Sequence, residues 1–152
     1  MRDEADPVHI ADAGAVIVAT VWLADCDPDQ ALTAFTDPAV LVRWWRGELT
    51  ADLVPDGEYT VRFPAIPARL TGRVLGYTPA DSLVFSWSWE DEPPDSTVAI
   101  RVRAEPDGNG TVLTIEHGPH REDEAGQTAH AEHRAGWEFF LPRLRAAISC
   151  GS

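Results

Sequence analysis

His130-Ala-Glu-His-Arg-Ala-Gly-Trp-Glu-Phe-Phe-Leu-Pro-Arg-Leu-Arg-Ala-Ala-Ile148 is the stretch whose reading decides the fold. At helical spacing it puts His130, His133, Trp137, Phe140, Leu141, Leu144 and Ile148 on one arc. Arg134, Glu138, Arg143 and Arg145 fall outside the middle of that arc. Phe139 lies on the far side from Trp137, either singly exposed or part of a homodimer contact. Gly136 costs about 1 kcal/mol against Ala in a helix interior, so close packing against a neighbour is its expected reason. Pro142 removes the bond to the Glu138 carbonyl, which predicts a bend.

Upstream of this helix the chain reads mostly as short strands. Ala15–Ala24 is β-rich and apolar on both faces. Asp27-Pro28, with Gln30 completing a capping box, and Asp37-Pro38 start two short helices, about Pro28–Phe35 and Pro38–Trp45. Leu49–Leu53 runs to a Pro55-Asp-Gly57 turn, after which Tyr59, Val61 and Phe63 alternate with polar residues. Arg69–Tyr77 carries Gly72 and Gly76, the mark of a bulge, a bend or a close approach. In Leu83–Trp89 the residues Leu83, Phe85, Trp87 and Trp89 share one face. Val98, Ile100 and Val102 alternate with Arg101 and Arg103, and Leu113, Ile115 and His117 point one way. The order is strand, two short helices, six strands, long helix. A twisted antiparallel sheet with one wet face needs cover on the other, and the C-terminal stripe supplies it. The expected fold class is α+β: a curved antiparallel sheet of about seven strands gripping a long helix.

The chain has 152 residues, enough for one domain with its own core. Residues 1–13 read as a flexible leader and 14–150 as the domain. Twelve basic residues, all Arg, stand against 25 acidic ones, for a net charge of −13. That balance opposes binding to nucleic acid and to anionic membranes. No apolar run spans a bilayer and the acidic N-terminus lacks a signal-like core, which predicts a cytoplasmic protein. Cys26 and Cys150 read as two reduced thiols.

Four stretches taken together resemble a known family. They are Ala34-Phe-Thr-Asp-Pro…Arg43-Trp-Trp45, Gly72-Arg-Val-Leu…Pro79…Leu83-Val-Phe-Ser-Trp87, Gly110-Thr-Val-Leu-Thr-Ile-Glu-His117 and His133-Arg-Ala-Gly-Trp137. They are similar to the SRPBCC superfamily, within it to homologues of the heat-shock protein 90 ATPase activator C-terminal domain. The resemblance covers about Ala15 to Ile148. It implies the helix-grip fold of START lipid-transfer domains and the birch-pollen allergen, with a cavity between sheet and long helix. It implies no single activity, since relatives include ligand binders, cyclases or aromatases, and chaperone assistants.

The residues expected to line that cavity are Trp44, Trp45, Tyr59, Phe63, Leu70, Phe85, Trp87, Trp89, His117, His133, Trp137, Phe140, Leu141 and Leu144. The competing reading is that these side chains are simply core, where each buried ring contributes a few kcal/mol, roughly. His117-x-x-His120 and His130-x-x-His133 have a spacing compatible with a metal, but no Cys or carboxylate completes a motif. Buried, hydrogen-bonded imidazole is therefore expected, with no metal and no cofactor. Nucleophile elbow, phosphate loop, dinucleotide fingerprint and Cys-x-x-Cys are all missing. The expected function is a domain binding a small hydrophobic molecule. A cyclase or aromatase using cavity histidines is the alternative, and a chaperone-assisting role is disfavoured for a chain lacking the activator's other domain.

Overall fold

The structure is a computed structural model and describes residues 8–65, 68–89, 96–106 and 108–148. Its first element is β1 (Val8–Ala13), which pairs antiparallel with β2 (Val16–Ala24) across a tight turn. That corrects the expectation of a flexible leader over Val8–Ala13; residues 1–7 lie outside the described set. The strand is held from the far end of the chain. Asp12 takes an ion pair from Arg134 at 2.9 Å and a bond from His130 at 2.8 Å, and Arg134 donates to the Ile10 carbonyl.

The two short helices start where their caps place them. Asp27 and Gln30 exchange bonds at the head of α1 (Pro28–Thr36), forming the capping box. Asp37 accepts from the Ala39 amide at the head of α2 (Pro38–Trp45). Each cap satisfies an amide the first helical turn leaves without a partner. Trp44 donates to the Ala34 carbonyl and Tyr59 to the Phe35 carbonyl, tying both helices to the sheet from inside.

The sheet continues with β3 (Glu48–Ala51), β4 (Tyr59–Phe63), β5 (Ala68–Thr71), β6 (Val74–Thr78), β7 (Ser82–Trp89), β8 (Ser96–Ala104) and β9 (Gly110–Gly118). All pairings are antiparallel, in the order β1-β2-β9-β8-β7-β5-β4-β3, with β6 also on β7. Arg69–Tyr77, expected as one strand, is two strands divided at Gly72-Arg73. Close approach is the reason: a Cβ at Gly72 would run into the Ser86 carbonyl. A register shift between Val74 and Gly76 marks a bulge. Alternation otherwise holds: Leu83, Phe85 and Trp87, then Val98, Ile100 and Val102, then Leu113, Ile115 and His117 are all buried.

The last element is α3 (Glu124–Ala147). It starts six residues before the quoted stretch because Asp123 caps it by accepting from the Gly126 amide. Of His120–Gln127, which the sequence pattern leaves as a polar link into this helix, the second half, Glu124–Gln127, is its first turn. It runs as one helix through Pro142 and buries Trp137, Leu141 and Leu144 against the concave side of the curved sheet. This is the helix-grip arrangement. No described helix is long and apolar enough to cross a membrane. Cys26 is disulfide-bonded, against the expectation of two reduced thiols; Cys150 lies outside the described residues.

Candidate functional site

The inward aromatic face divides into two parts with different jobs. Trp44, Tyr59, Leu70, Phe85, Leu141 and Leu144 have no exposed surface and belong to the core. Tyr59 stacks on Phe85 at 4.0 Å between ring centres, and burial pushes its phenol well above its ordinary range. Trp44 stacks on Trp45 at 5.0 Å with the planes only 7° apart, so the last turn of α2 is fixed by one indole and presents the other.

Trp45 begins the second part. With Phe63 from β4, Trp87 and Trp89 from β7, and Trp137 and Phe140 from α3, it lines a half-open cavity of ≈ 120 Å³. The indoles meet at 5.7 Å (Trp45 to Trp137) and 5.9 Å (Trp45 to Trp87), so the wall is a continuous aromatic surface. His133, Glu132 and Gly136 complete it on the helix side. A Cβ added at Gly136 would meet nothing within 4 Å. Gly136 therefore borders open space, which corrects the expectation that it serves close packing. Glu132 and Gly136 escaped the reading by residue type. Their signal was positional, since Glu132, Gly136 and Phe140 follow one another at four-residue steps beside His133 and Trp137.

His117 points inward as expected but does not line the cavity. It is fully buried, accepts from the Trp137 indole N–H through Nδ1 at 3.0 Å, and bonds Ser96 Oγ through Nε2 at 3.0 Å. Because Trp137 can only donate, Nδ1 is bare and the neutral ring carries its proton on Nε2. Burial, then the neighbouring His133, His120 and His130, holds its pKa well below the ordinary range. His120, whose direction the sequence left open, turns inward and is buried. Its Nδ1 bonds the Ala15 carbonyl at 3.0 Å and its Nε2 bonds His133 Nδ1 at 2.9 Å. Burial, His120 and His130 lower the pKa of His133 to about 4, so it is neutral at physiological pH.

The donor atoms of His117, His120 and His133 all lie within 4.8 Å of one another. Coordination would nevertheless require a free lone pair on each ring. The lone pair of His117 accepts from Trp137 and its other nitrogen carries the proton shared with Ser96, so a metal there would cost one of these bonds. The donor set fits a hydrogen-bonded imidazole cluster better than a tetrahedral metal centre. Trp87 Nε1 is, among the described residues, a buried donor without a partner. Phe139 is 53% exposed, and the Arg143 guanidinium sits 3.8 Å over its ring.

A helix gripped by a curved antiparallel sheet, with an aromatic cavity at the contact, is the setting for the family match. The model for activator of Hsp90 ATPase homolog 1-like proteins matches residues 25–149. The chain belongs to this family. Its structure is similar to that of protein MLL2253 from Mesorhizobium loti, with a TM-score of 0.75 at 20% identity over 88% of this chain and 96% of that one. It is also similar to CalU16 from Micromonospora echinospora, with a TM-score of 0.68 at 29% identity over 93% and 83%. The Aha1 dimer from Colwellia psychrerythraea has a TM-score of 0.69 at 16% identity over 90% and 98%. No curated protein matches the sequence.

Proposed function

We propose that this family member binds a small lipophilic molecule by taking one ring, or a short chain of similar bulk, between α3 and strands β4 and β7. The observation that carries this reading is unfilled space walled by Trp45, Phe63, Trp87, Trp89, Trp137 and Phe140, and kept open by a glycine. Size limits what can enter. Typical small-molecule sites enclose roughly 300–1,000 Å³, whereas an apolar cavity of about 150 Å³ holds one benzene. A polyketide or sterol would insert one ring and lay the rest over the exposed Glu132 side.

Intrinsic fluorescence tests the reading, because four of the wall residues are tryptophans. Titration with single-ring aromatics should give a saturable change, abolished when Gly136→Leu fills the space. An unsaturable response, or one unchanged in Gly136→Leu, would sink the idea.

A cyclase-like or aromatase-like enzyme is the second reading, favoured by a neutral imidazole in the cavity wall. The base in that case is His133, since both ring nitrogens of His117 are occupied. It predicts turnover of an added ring substrate that disappears in His133→Phe while the fold survives.

A further inference from the structure

A chain of hydrogen bonds sets the tautomer of the histidine in the cavity wall. The Ala15 carbonyl can only accept, so His120 carries a proton on Nδ1, and in the neutral ring its Nε2 is bare. His133 Nδ1, 2.9 Å away, must then be the donor of the pair. The opposite assignment needs His120 doubly protonated, a cation buried against the rings of His117, His130 and His133. With its proton on Nδ1, neutral His133 has its lone pair on Nε2, and that atom has no partner among the described residues. Among the described residues, His133 is also the one imidazole in the cavity wall.

We propose that His133 is the polar anchor of the cavity and that the site takes a neutral ring bearing a hydroxyl, a phenol or an enol, which donates to His133 Nε2. This rests on the ring-binding reading above and adds to it a direction for the hydrogen bond. Neutrality of the ligand follows from the wall. Among the described residues no Arg lines the cavity, Glu132 does, and the chain as a whole carries a charge of −13. A carboxylate or phenolate would lose its hydration and find no cation in return. Groups that only accept, such as ethers, would face the bare nitrogen with no proton between them. The Ala15 carbonyl and His120 are positioning groups here: they set the tautomer of His133 without touching the ligand.

Two measurements on the full chain test this. Long-range proton–nitrogen NMR of the histidine rings near neutral pH should show Nδ1 protonated and Nε2 bare in both His120 and His133. Calorimetry with phenol, anisole and toluene should show phenol losing about tenfold in affinity in His133→Phe, about 1.4 kcal/mol, while anisole and toluene are unchanged. Should His133→Phe fail to fold, the tautomer in the unaltered protein decides alone. A proton on His133 Nε2 overturns the anchor. Equal losses for phenol and toluene overturn it too, while leaving ring binding intact. Binding of no ring at all removes both.

Discussion

Acidification from about pH 7.5 to 4.5 should destabilise this protein, with the buried histidines His133 and His117 as the source. Its pKa is about 4 in the folded chain, against 6.5 in an unfolded one. Between those values the unfolded state binds a proton that the folded state refuses, so stability is fully present above pH 6.5 and drains away as pH falls toward 4. At about pH 4.5 the loss from His133 alone reaches a ceiling of about 2.5 kcal/mol, and partial exposure brings the real value below it. His117, lowered by burial and by the same neighbours, adds in the same direction. Groups facing the cluster do not cancel the effect. Asp12 holds His130 and Arg134, and its own pKa is lowered, so its contribution persists until pH falls below the ordinary carboxylate range. Urea unfolding at the two pH values reads the difference, provided the denaturant slope is unchanged. His133→Phe should reduce the dependence and leave the share that His117 carries. Stability that is level between pH 6.5 and 4.5, or a drop of the same size in His133→Phe, would refute the reasoning.

Other expectations follow from single contacts. Trp87→Phe removes a buried donor without a partner, a relief of about 1–3 kcal/mol that offsets lost packing, so its thermal midpoint should stay within a few degrees. Trp44→Phe leaves the Ala34 carbonyl unpaired and should be clearly worse; equal effects of the two would contradict the assignment. Gly136→Ala should stabilise by up to about 1 kcal/mol, because a methyl there meets nothing and helix propensity improves. Gly126→Ala should destabilise, since its Cβ would strike the Arg121 carbonyl. Micromolar zinc should leave the melting temperature unchanged; a rise of several degrees would show that the cluster gives up the Trp137 or Ser96 bond to hold a metal.

The parts of the fold that could be read from residues are those where local chemistry and packing agree. Asp27 and Asp37 cap the helices they were expected to cap, and the alternation of Leu113, Ile115 and His117 gave the inward face of β9. What escaped depends on distant partners. Val8–Ala13 is an edge strand whose Asp12 is held by residues more than a hundred positions later. The head of α3 reads as loop because Gly126 weakens a helical pattern, although the Asp123 cap requires its amide. Within the site, period alone could not divide core from cavity. Phe85 and Trp87 share a face of β7, yet one ring stacks on Tyr59 and the other walls open space. The tautomer chain from Ala15 through His120 to His133 depends on a carbonyl brought in by the β1–β2 turn. Spacing along the sequence does not contain that information.

The central claim is that the space between α3 and strands β4 and β7 is a binding cavity. Calorimetric titration of phenol into the unaltered protein and into Gly136→Leu, side by side, tests it most directly. The account predicts saturable one-to-one binding in the first and none in the second, with the variant at least as stable as the parent. No binding to the unaltered protein, or equal binding to both, would contradict it.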